Sequence, residues 1–139
     1  NDPKSADLAL RRAQISERIT EGNIDDAADR YLAMIEYFRD DPKYPTTMHR
    51  DAQYQIGNHL YASGKRVEPL NAYQALLKQY PRDPERDVIC ILRARINAND
   101  LNNSAEARSI LTNLIENTLD NDMKKLALDE LAAIKDTHQ

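Results

Sequence analysis

The chain has 139 residues, of which 30% are charged, 6% aromatic and only three are glycine, with no Trp and a formal net charge of −4. That length suits one domain with a continuous core, and a composition rich in Ala, Leu, Arg, Asp and Glu favours helix over strand. The charge argues against nucleic acid, which requires a basic face, and no stretch reaches the roughly 20 apolar residues of a membrane span.

Apolar spacing at period 3.6 predicts seven helices. The first, over 5–21, lines up Leu8, Ile15 and Ile19. The second, over 24–40, carries Ala27, Ala28, Tyr31, Leu32, Ile35 and Phe38. The third, over 46–63, carries Met48, Ala52, Ile56 and Leu60. The fourth, over 68–80, carries Leu70, Tyr73, Leu76 and Leu77. The fifth, over 84–98, carries Val88, Ile91, Leu92 and Ile96. The sixth, over 104–118, carries Ala107, Ile110, Leu111 and Leu114. The seventh, over 121–136, carries Met123, Ala127, Leu131 and Ile134. Asp83-Pro84 reads as an N-cap followed by proline at the first helical position. Asn103 with Glu106 resembles a capping box, and Gly22 and Gly64 fall where a left-handed residue ends a helix. Linkers of about six residues or fewer are expected, so the chain is taken as one domain over 1–139.

The formal charge is unevenly spread. Residues 1–43 hold 7 basic and 10 acidic side chains, residues 44–82 hold 5 and 2, and residues 83–139 hold 7 and 11. The middle is therefore the net-positive part, which is either an attraction for an acidic partner or a chance imbalance on solvated helix faces. Cys90 is the single cysteine and lies between Ile89 and Ile91, a setting for a buried, inert thiol. The chain begins with Asn1, so it is expected to be processed or cut from a longer protein, and the compartment stays open.

An internal repeat organises these helices. Gly22 to Tyr31 aligns with Gly64 to Tyr73, each with Gly at a turn and Tyr nine residues on. Asn102-Asn103-Ser104-Ala105-Glu106-Ala107 with Leu111 gives a third copy, in which Asn102 takes the place of glycine. With Ile56-Gly57, Gly64, Tyr73 and Pro81 in its second copy, the chain resembles the tetratricopeptide repeat family, in an elongated form similar to that of bacterial envelope-associated repeat proteins. The resemblance departs at Pro69, where the family has a small residue, and at Arg11 and Gln53, where it has an aromatic. The resemblance implies an all-α, right-handed superhelical stack of antiparallel helix hairpins over about 5–42, 46–81 and 84–119, with 121–136 as a capping helix. It also implies a non-catalytic module that binds a protein or peptide through the concave face made by the first helices. The matching positions are Arg12, Ser16 and Ile19 in the first copy, Asp51, Tyr54, Asn58 and Tyr61 in the second, and Leu92, Ile96 and Asn99 in the third. Tyr54 and Tyr61 either grip a ligand or complete the packing between hairpins. A second likeness covers residues 47–134. The run from His49 through Tyr80-Pro81, then Val88 to Leu92, Ala107 to Leu114 and Ala127 to Leu131, resembles helical-repeat tails of bacterial membrane proteins such as rhomboid-family proteases. That likeness implies a docking or regulatory tail.

Little in the sequence suggests chemistry. His49 and His59 are ten residues apart, about 80° around a helix and nearly three turns along it, so they do not share a metal. No HExxH, CxxC or glycine-rich phosphate loop is present, and no serine sits beside a base at triad-like spacing. Asp25, Asp26 and Asp29 crowd the first turn of a helix, where the dipole favours acids. No cofactor or metal is expected. A protein or peptide is the expected partner, an acidic one if the basic middle is an attraction, and direct membrane insertion is not expected; the alternatives are a homodimer through an apolar end of the stack and a small-molecule receptor or enzyme with an unrecognised cleft.

Overall fold

The computed structural model describes residues 2–39 and 41–134. Asp40, the end of the predicted last helix and His138 lie outside the described residues. Among the described residues there are seven α-helices and no strand: α1 (Pro3–Thr20), α2 (Ile24–Phe38), α3 (Arg50–Ala62), α4 (Val67–Gln79), α5 (Arg86–Arg95), α6 (Ser104–Asn117) and α7 (Asn121–Ala133). A π-helical segment, Ile96–Asp100, follows α5. The chain divides into two compact units, Asn1–Tyr80 and Pro81–Gln139.

The first unit is a pair of helical hairpins, α1–α2 and α3–α4, with α2 packed on α3. The two hairpin turns are built alike. Gly22 has φ +80° and Gly64 has φ +82°. Gly22 N–H donates to Ile19 O at 2.9 Å and Asn23 N–H to Arg18 O at 2.8 Å. Gly64 N–H donates to Tyr61 O at 3.1 Å and Lys65 N–H to Leu60 O at 3.2 Å. This is the paired closure of a Schellman motif, which leaves glycine the cheapest residue at the left-handed position. Pro69 sits in the first turn of α4, where an N–H has no intrahelical acceptor in any case, so proline there costs no helix bond.

The core of this unit joins Leu8 and Ile15 of α1, Ala28, Tyr31, Met34 and Phe38 of α2, and Ala52, Ile56 and Leu60 of α3. Tyr44 and Met48 enter it from the segment after α2. That segment runs from 39 to 49, longer than the linkers expected. Arg39 closes α2 in the left-handed region (φ 42°), and α3 begins at Arg50 rather than near 46. Met48 lies before the helix and donates its N–H to the side chain of Gln53 at 2.8 Å. Gln53 is fully buried. Its amide also donates to the Tyr31 hydroxyl at 2.9 Å and to Ala72 O at 3.0 Å. One carboxamide thus ties α2, the linker, α3 and α4 together, with its polar atoms matched as burial requires.

Asp-Pro capping occurs, but at the chain's first helix. Asp2 accepts from the N–H groups of Lys4 (2.7 Å) and Ser5 (3.3 Å), and Pro3 opens α1. At Asp83-Pro84 the aspartate instead accepts from Glu85 N–H at 2.8 Å, forming a turn, and α5 starts at Arg86.

The second unit packs α6 on α5 and α7 on α6. Its interior holds Ile89, Cys90, Ile91, Ala94, Ala107, Leu111, Leu114 and Ala127. Cys90 is buried, as its place between two isoleucines predicts. Asn102 has φ 53°, matching its alignment with the turn glycines, and Asn103 caps α6 by accepting from Glu106 N–H at 3.3 Å. The equivalent Asn23 caps α2 in the same way, from Asp26 N–H at 3.2 Å. Between α5 and α6 the turn differs from the other two, because the π-helical segment adds a wider loop closed by Leu101 N–H on Ile96 O. Among the described residues no helix is long and apolar enough to cross a membrane.

Candidate partner-binding surface

Asp51, Tyr54, Asn58 and Tyr61 follow a single line on α3, since spacings of three, four and three residues keep side chains on one helix side. Asp51 is exposed, and Tyr54, Asn58 and Tyr61 are half-buried. Arg50 ties the start of this line together. Its guanidinium meets Asp51 at 2.9 Å and lies 4.9 Å from the centre of the Tyr54 ring.

Beneath the line lies Tyr73 of α4, fully buried. Its hydroxyl donates to the Asn58 carbonyl oxygen at 2.6 Å. Burial raises the Tyr73 hydroxyl's pKa, and the phenols of Tyr54 and Tyr61 add to the rise. Three phenols and one carboxamide therefore cluster on α3 and α4. The Asn58 oxygen is committed inward, which leaves its NH₂ as the group able to meet a ligand.

The other expected positions do not all serve such a surface. Arg12 is half-buried and donates to Pro45 O at 3.4 Å, bracing the 39–49 segment. In the second unit Leu92 is half-buried, while Ile96 is fully buried. Ile96 is thus unavailable to a partner, because it opens the π-helical segment with its side chain inward. Asn99 is exposed within that segment. It borders a cleft of about 470 Å³ shared with Ala94, Arg95, Ala98 and Glu130, where Arg95 Nε meets Glu130 at 2.6 Å.

One cluster invites a catalytic reading that the sequence does not suggest. His59 Nε2 lies 2.6 Å from Asp25 Oδ1 and 3.4 Å from Ser63 Oγ. Both neighbours approach the same ring nitrogen, whereas a relay through imidazole needs one on each. The Ser63 hydroxyl meanwhile donates to His59 O at 2.7 Å. The cluster holds the end of α3 to the start of α2. Asp25 is accordingly more than a dipole-stabilised acid, and Asp26 is too. Arg30 at 2.8 Å and Arg18 at 3.1 Å hold the Asp26 carboxyl below its usual range, the Arg30 hydrogen bond contributing most. Among the described residues no group of His, Cys, Asp and Glu could hold a metal ion.

No family model and no curated protein matches this chain.

Proposed function

We propose that the chain is a non-catalytic protein-interaction module of tetratricopeptide type, whose central hairpin takes an acidic peptide or partner segment along α3. The observation that carries this reading is the line Tyr54, Asn58 and Tyr61, half-buried on one side of one helix. Phenols and amides supply contact area with a polar handle at small entropic cost. The same hairpin belongs to the net-positive part of the chain, and Lys65 and Arg66 at its turn are exposed. An acidic ligand is drawn to such a site with an affinity that falls as salt rises.

The test is a set of acidic, neutral and basic peptides titrated against the whole chain and against Tyr54→Ala and Tyr61→Ala. Asn58 is a poor probe, since its removal strands the buried Tyr73 hydroxyl and mixes stability with binding. Acidic peptides should bind best, and each substitution should weaken them with the helical circular dichroism unchanged. Binding indifferent to both tyrosines, or a preference for basic peptides, would end this reading.

A further inference from the structure

Beneath the α3 line, Tyr73 is fully buried, and among the described residues its hydroxyl has one hydrogen-bond partner, the Asn58 side-chain oxygen at 2.6 Å. A buried hydroxyl proton needs an acceptor. With the Asn58 amide turned over, its NH₂ would face the phenol and the Tyr73 proton would lose that acceptor. The carbonyl oxygen therefore faces inward. Burial, helped by the phenols of Tyr54 and Tyr61, raises the Tyr73 pKa, so the hydroxyl keeps its proton and stays a donor at neutral pH.

We propose that Tyr73 is a positioning residue that locks Asn58 as a donor, so that the site seats a carboxylate side chain of the peptide in preference to the carboxamide of the same shape. This inference rests on the reading of α3 as the peptide site. It adds that the acid is recognised by neutral donors in direct contact with it, and that a residue no ligand touches sets the preference.

The lock leaves the half-buried Asn58 with its NH₂ outward and its oxygen engaged. Tyr54 stands four residues before it and Tyr61 three after, on the same helix side. Among the described residues no hydrogen bond engages either hydroxyl, so both can turn a proton towards a ligand at Asn58. The charged residues of the line lie at its far end, where Arg50 meets Asp51 at 2.9 Å. A carboxylate accepts at both oxygens, and hydrogen bonds to an ionised acceptor are roughly twice as strong as neutral ones. A carboxamide has one oxygen, and its NH₂ meets no acceptor at Asn58.

Calorimetric titration of the whole chain tests this with two peptides, one carrying a central Glu pair and one the same peptide with Gln in its place. Both are capped at each end, so that no terminal carboxylate takes part. The wild type should favour the Glu peptide about tenfold or more. Tyr73→Phe keeps the ring and frees the Asn58 amide to turn over, so the preference should fall to about threefold or less. A purely structural role would weaken both peptides alike and leave their ratio unchanged. Asn58→Asp is the second variant. It still accepts from Tyr73 but faces the ligand with an acceptor, and it should lose the Glu peptide about tenfold or more while circular dichroism is unchanged. No preference in the wild type, the same preference in Tyr73→Phe, or full binding of the Glu peptide by Asn58→Asp would each overturn the lock and leave α3 as the binding site. Binding of neither peptide by the wild type would instead remove the α3 reading, and this inference with it.

Discussion

A methyl group added at position 57 would stand 2.8 Å from Cε1 of Tyr73 and 3.0 Å from its Cδ1. The ring has little room to yield, because it is fully buried and its hydroxyl is pinned to Asn58 at 2.6 Å. Alanine gains about 1 kcal/mol of helix propensity over glycine, while overpacking a tight contact costs roughly 1–3 kcal/mol. Gly57→Ala should therefore destabilise slightly, and Gly57→Leu should lose the upper end of that range or more. Urea denaturation measures both, and pairing Gly57→Ala with Tyr73→Leu should recover part of the loss. Unchanged midpoints for both single variants would mean that α3 and α4 do not meet there. Asp2 gives a second residue-scale test. The Tyr44 hydroxyl at 2.6 Å, with the Lys4 and Ser5 amides and Lys43, outweighs partial desolvation and lowers its pKa from 3.8 to about 2. A depressed carboxylate contributes stability that is fully present above its unfolded value and is lost as pH falls through its folded one. The stability gap between wild type and Asp2→Asn should thus be constant above about pH 5 and shrink between pH 3.8 and about 2. A gap that does not change with pH would remove Asp2 from the acid sensitivity.

Element boundaries show what a linear pattern carries and what it misses. Turn chemistry is local, so Gly22, Gly64 and Asn102 can be read directly, and all three hold positive φ. This makes a prediction at the third turn. Asn102→Gly should leave stability within a few tenths of a kcal/mol of wild type, whereas Asn102→Val should cost roughly 1–2 kcal/mol for a β-branched residue in the left-handed region. Equal melting temperatures for these two variants would contradict the turn geometry. The missed features are bonds that an apolar period does not report, some of them local and some distant in sequence. α3 starts at Arg50, and Gln53 within it holds the Met48 amide of the segment before it. Tyr44 looks like a loop residue until its ring lies 5.5 Å from that of Phe38 and its hydroxyl finds Asp2. Ile96 belongs to an amphipathic register when α5 is drawn as one uninterrupted helix, but the π-helical segment that begins there shifts the register of the residues after it. The candidate site divides in the same way. The line on α3 follows from spacing alone, but the commitment of Asn58 to Tyr73 needs the second helix of the hairpin in place. A signal for Gln53 is present, since a glutamine three and seven residues before Ile56 and Leu60 shares their buried helix side and asks where its amide bonds go.

At the scale of the whole molecule, the division after Tyr80 has a consequence for both folding and binding. The core cluster that runs from Leu8 to Ala72 lies entirely in the first unit, and Tyr73 and Leu76 are also fully buried there. The clasp between Asp25 and His59, the Gln53 amide bonds and both Schellman turns are internal to it as well. A segment of this size is above the roughly 60 residues at which many single domains already fold alone. A chain ending at Tyr80 should therefore remain helical and unfold cooperatively, with a smaller denaturant slope than the full chain because less surface is exposed on unfolding. Loss of helical signal, or a gradual melt, would show that the second unit is needed to hold the first. If the shortened chain folds, it also sets the extent of the proposed site. Tyr54 and Tyr61 are retained in it, while Leu92 and Asn99 are removed. Affinity for acidic peptides close to that of the full chain would confine recognition to α3. A fall of tenfold or more, about 1.4 kcal/mol, would mean that the second unit contributes contacts, and Leu92→Ala and Asn99→Ala in the full chain should then reproduce most of it.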